Sequence, residues 1–139
     1  MKKIDEIYEN YIGISRTELL FHARSTVEML LSHFSALTGS EDDALSVIMA
    51  FAAASVSSDG TFSAGEVEFA AELLHLSNEQ TVSLLVKASH PKRTEAAHNL
   101  FDACEGEVQM MILNLCLCFI ACDGTIQPRE STFIKSLVA

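Results

Sequence analysis

The chain has no tryptophan, two prolines and six glycines, and only nine lysines and arginines against nineteen aspartates and glutamates. Each shortage excludes something. With so few helix breakers, and with alanine, leucine, serine and glutamate abundant, long helices meet little local opposition. No segment alternates apolar and polar residues over a sustained stretch, so no sheet is expected. The shortage of basic residues leaves a formal charge of −10. Such a surface repels phosphates and anionic headgroups, which argues against nucleic acid and anionic membrane as general partners.

Long apolar runs are also lacking. The greasiest stretch, Met110 to Cys122, is interrupted by Asn114 and falls short of the ~20 residues of a spanning helix. It reads as a central core helix, and no membrane insertion is expected. At the start, Met1-Lys2-Lys3 runs directly into Ile4-Asp5-Glu6. The acids prevent an apolar leader segment, so a cytoplasmic location is expected.

Catalytic signatures are missing as well. There is no Gly-x-Ser-x-Gly elbow, phosphate-cradling glycine loop or His-Glu-x-x-His. Of the five histidines, His22 and His33 are eleven residues apart on one expected helix, hence ~16 Å along its axis and too far to share a ligand. Asp42 and Asp43 are adjacent and point apart on a helix, so they form no acid–base dyad. No enzyme is expected. The four cysteines, Cys104, Cys116, Cys118 and Cys122, include no Cys-x-x-Cys pair, and they read as reduced, small apolar packing residues.

What is present is a run of helix signals. At 139 residues with 49% apolar content, the chain can bury a core as one domain, residues 1–139. Residues 1–14 form an N-terminal extension with a short helix over 3–12. Ser15 with Glu18 starts a helix to about 37, with Leu19, Leu20, Ala23, Val27, Leu30, Leu31 and Phe34 at helical spacing. Ser40 caps the next, to about 57, and its alanines at 50 and 52–54 point to close approach by a neighbouring helix. Ser63 with Glu66, and Ser77 with Gln80, are capping boxes. Phe62 before the Ser63 cap can staple to Val67, and Val67, Ala70, Ala71 and Leu74 make the expected core stripe. Pro91 and Pro128 take first-turn positions, and a helix covers about 107–122.

One pattern occurs twice: Asp59-Gly60-Thr61-Phe62-Ser63-Ala64-Gly65-Glu66 and Asp123-Gly124-Thr125-Ile126-Gln127-Pro128-Arg129-Glu130. Each follows an apolar helical run and opens another helix. Correspondence extends to Phe69 with Phe133, Leu73 with Leu137, Met49 with Leu113 and Val56 with Ile120, all 64 residues apart. The expected fold is therefore all-α, a single compact bundle of about seven to eight helices with two pseudo-equivalent helix–turn–helix halves. Glycine lets the chain reverse, aspartate can bond turn amides, and glutamate can cap the next helix. Compared with a calcium loop, Gly60 as the invariant glycine places Ser55, Ser57, Asp59 and Glu66 at positions one, three, five and twelve. The first copy has hydroxyls where carboxylates are usual and would be a weak site at best; the second has Phe119 and Ala121 where oxygen donors are needed and cannot be a normal calcium site.

An alanine-rich helix, then Asp-Gly-x-apolar-x-x-x-Glu, then an amphipathic helix, resembles the TerB-like family of tellurite-resistance proteins and the N-terminal region of the DjlA co-chaperone. The resemblance is carried by Met49 to Ala54 with Ser58-Asp59-Gly60, and by Ala121 to Ile126 with Glu130. It covers roughly residues 20–139. It implies an all-helical domain and, at the turns, a divalent-metal role for Asp59, Glu66, Asp123 and Glu130. Gly65 and Gln127-Pro128 depart from the family pattern, and no His-Pro-Asp motif of a J-domain is present. Two functions follow as expectations. One is a non-catalytic acidic module that binds a protein partner or a second copy of itself, in a stress or tellurite-resistance-type setting. The other is a divalent-metal-binding protein using the four turn acids.

Overall fold

A computed structural model of the chain describes residues 14–56 and 62–122. Within them every regular element is a helix: α1 (Arg16–Thr38), α2 (Glu41–Val56), α3 (Ala64–Leu74), α4 (Asn78–Ala88), α5 (Pro91–Ala103) and α6 (Gly106–Ala121). The all-α class is as expected, with six helices among the described residues. The helices expected over 3–12 and after Pro128 lie outside them.

Five of the six described helix starts carry a side-chain cap, and α6, entered from Glu105, does not. The Ser15 hydroxyl accepts from the Glu18 amide at 3.2 Å, but the reciprocal bond from the Glu18 carboxylate is not made, so the expected box is half formed. The Ser40 hydroxyl accepts from the Asp43 amide at 3.4 Å, and Glu41, Asp42 and Asp43 occupy the first turn of α2, where the helix dipole favours negative charge. Ser77 and Gln80 complete their box. Pro91 opens α5, and the cap there is His90, whose Nδ1 accepts from the Lys92 amide at 3.2 Å.

The end of α3 has a feature that periodicity does not reveal. His75 takes a left-handed conformation, φ 56° and ψ 44°, a region that histidine enters more readily than most non-glycine residues. Its amide and that of Leu76 both donate to the Ala71 carbonyl, closing the orphaned end of the helix.

Helix α2 lies at the centre, packed against α1, α4, α5 and α6. Small residues make this possible: Ala44, Ala52 and Ala53 are fully buried. The larger side chains Ile48, Met49 and Phe51 of α2 join Phe34 from α1 and Ile112, Leu115 and Phe119 from α6 in the same core cluster. Phe69 of α3 meets Phe119 edge to face at 5.3 Å and 76°, a pairing worth ~0.5–1.5 kcal/mol beyond its buried area. Arg16 lies over the Phe69 ring at 5.9 Å and also reaches Glu72 at 3.1 Å. The core stripe of α3 is broader than expected. Val67, Ala70 and Ala71 are buried as the spacing predicts, but Phe69 and Leu73 are too, while Leu74 is only half-buried. The cause is that α3 has neighbours on several sides, namely α1, α4 and α6.

Asn114, which breaks the apolar run of α6, has a partner. Its amide donates to the Thr26 hydroxyl at 2.9 Å, and that hydroxyl donates to the His22 carbonyl. A polar residue is thus accommodated between α1 and α6 without an unmet donor at that contact.

Close packing around α2 has a measurable consequence. Leucine in place of Ala53 leaves no room for the added carbons, and Ala53→Leu is expected to destabilise by about 1–3 kcal/mol. The same change at the exposed Ala96 should leave the urea midpoint unchanged. Equal midpoints for the two variants would contradict close approach at α2.

Candidate functional site

Of the four turn acids, Asp59, Asp123 and Glu130 lie outside the described residues. Glu66 is described, and it performs the capping task read from its position. The Ser63 amide donates to Glu66 Oε1 at 2.7 Å, and the Glu66 amide donates to the Ser63 hydroxyl at 3.1 Å. Two orphan amides at the start of α3 are thereby satisfied reciprocally. The residue is 6% exposed, so its carboxylate sits inside the fold. Phe62, just before the cap, packs against the core, and Val67 belongs to that core, consistent with the expected staple.

The hydroxyl at the first calcium-loop position is turned elsewhere. Ser55 is fully buried, and its Oγ donates to the Ala52 carbonyl at 2.7 Å. Phe119, its counterpart in the second copy, is in the aromatic pair with Phe69. Among the described residues, no group of three or more histidine, cysteine, aspartate or glutamate side chains is placed to hold a metal ion.

None of the four cysteines is in a disulfide. Cys116 and Cys118 are fully buried, while Cys104 and Cys122 are half-buried. Burial pushes both Cys116 and Cys118 up to about 12, with a hydrogen bond to Ser55 lowering Cys116 in part, and burial also raises Cys104. Cys116 donates weakly to the Phe51 carbonyl at 3.7 Å, a link between α6 and α2. Thiols held protonated in this way are poor nucleophiles and poor metal ligands.

Charge is distributed differently. Every described aspartate and glutamate other than Glu66 is exposed, from Glu18 on α1 to Glu107 on α6. Among the described residues the acids other than Glu66 therefore form a shell around an apolar interior. No described helix is long and apolar enough to cross a membrane. No protein-family model, curated protein or solved structure matches the chain.

Two outcomes follow. Ser63→Ala removes one arm of the α3 box and should lower stability by about 1 kcal/mol, whereas Glu66→Gln, which keeps an acceptor oxygen, should cost less than Glu66→Ala in chemical denaturation. The buried thiols predict alkaline sensitivity. Unfolded thiols titrate near their ordinary value of 9.0, and the folded pair holds its protons to about 12. Between those values the unfolded state binds fewer protons, so stability falls as pH rises. Urea midpoints measured from neutral pH upward should decline past about pH 9. Cys118→Ala should flatten that decline, and an unchanged slope would remove the thiol from the explanation.

Proposed function

We propose that the chain is a non-catalytic, TerB-like interaction module that recognises a protein partner through its acidic helical surface, in a cytoplasmic stress or tellurite-resistance-type setting. The observation that carries this reading is the placement of charge: exposed carboxylates cover an all-helical core, and the one described buried acid has a capping task. The doubled architecture is part of the proposal. Helices α2 and α6 begin and end within a residue of the 64-residue offset between the two Asp-Gly patterns, as expected for two equivalent halves in a bundle of seven to eight helices. The divalent-metal alternative depends mainly on Asp59, Asp123 and Glu130. Its fourth ligand, Glu66, already accepts the Ser63 amide.

Affinity capture from a lysate of the native host, at low and at high salt, tests the module. A specific partner rich in lysine or arginine should be retained at low salt and released as screening increases. Retention of no partner under either condition would end this reading. Calorimetry with calcium, magnesium, manganese and zinc on chelator-treated protein separates the alternative: the module reading expects no saturable heat. Saturable binding abolished by Asp59→Asn with Asp123→Asn would favour a metal protein instead.

A further inference from the structure

An open depression of about 340 Å³ lies where the middle of α1, the first turn of α2 and the end of α3 meet. Leu31, Leu45, Leu74 and Leu76, all half-buried, form its apolar lining, and the exposed carboxylates of Glu28, Glu41 and Asp42 stand along it. The left-handed turn at His75 is what brings Leu76 round after α3 has ended. A second depression, of about 520 Å³, is also lined by Leu76 and extends over the start of α4 past Glu79 to Leu84. The two together make a strip of leucine surface edged by acids.

Three carboxylates outnumber the single arginine that lines the first depression. Arg24 lines the first depression, but its Nη2 donates to the Glu72 carbonyl at 3.1 Å, so the guanidinium is drawn to the end of α3. The acids along the strip are acceptors. Apolar surface edged by acceptors suits a ligand with aliphatic anchors and flanking cations. An amphipathic helix with leucine-like residues on one face and lysine or arginine beside them has that chemistry, docking by the helix-in-groove mode. A second copy of this chain fits less well, because its own exposed surface is dominated by carboxylates and would set like charge against like.

We propose that this strip is the docking groove for a basic amphipathic helix of a partner protein. The proposal rests on the interaction-module reading and specifies its surface and partner class.

The test uses the full chain and a fluorescent helical peptide of about four turns, leucine on one face and lysine elsewhere. A matched peptide with serine for leucine controls for charge alone. Titration followed by anisotropy should show saturable binding of the leucine–lysine peptide, and none of the serine–lysine peptide at the same salt. Glu28→Lys with Glu41→Lys should weaken binding about tenfold or more, whereas Glu95→Lys with Glu107→Lys, the same charge change made on α5 and α6, should change it less than about twofold. Glu28→Lys alone, on the exposed side of α1, serves if the α2 start does not tolerate lysine. Failure of the leucine–lysine peptide to bind, equal binding of both peptides, or equal loss in both double variants would overturn the groove. A salt-sensitive partner captured equally by wild type and the Glu28→Lys/Glu41→Lys variant would also overturn it while leaving the module reading standing. A capture experiment empty at both salts would remove that reading itself.

Discussion

Burial of α2 on several sides by other helices is the constraint from which the rest follows. Helix α2 buries both alanines and the large side chains of Ile48, Met49 and Phe51, and phenylalanine, leucine and isoleucine side chains from its neighbours close around them. Interior packing at near-crystalline density then leaves no tolerance for stray polar atoms. Two of those around α2 are tied to backbone carbonyls. Ser55 bonds within α2 itself, and Cys116 reaches across from α6 to the Phe51 carbonyl. The same burial that holds these thiols protonated makes them packing elements.

Much of this was legible because cap chemistry is local. A serine followed three residues later by glutamate or glutamine carries its own partner, so the starts of α3 and α4 needed no tertiary information. The half-formed box at Ser15 marks the limit: the hydroxyl arm depends only on the local turn, whereas a glutamate side chain can point elsewhere. Periodicity found the buried face of α1 well. On α3 it found the stripe but not its width, because spacing locates the centre of an apolar stripe and not how many neighbours will cover its flanks. Leu74 was expected inside and borders the leucine strip, while Phe69 and Leu73 are buried by helices distant in sequence.

Three features depended on long-range or conformational facts that spacing does not encode. Asn114 looked like a blemish in an apolar helix until Thr26, 88 residues away in sequence, supplied its acceptor. His75 adopts a backbone conformation for which glycine is the usual signal, and His90 caps through a ring nitrogen where serine or aspartate is the common choice. Of the candidate site, only the Glu66 cap was both legible and described, and it was legible because its role is complete within four residues.

That completeness bears on what Glu66 could do beyond capping. A carboxylate has two oxygens, and one of them holds the Ser63 amide at 2.7 Å in a residue that is 6% exposed. A cation would have to reach the other oxygen through the surrounding side chains, or draw the group outward and leave the first amide of the cap unsatisfied. Leaving a buried donor unsatisfied costs about 1–3 kcal/mol, which any coordination free energy would first have to offset. The exposed acids face no such competition. Glu28 and Glu41 stand in water beside leucine surface, where a docking cation would lose little hydration and the protein would lose no structural bond. Recognition by the acidic shell thus asks less of this fold than ligation by its buried carboxylate.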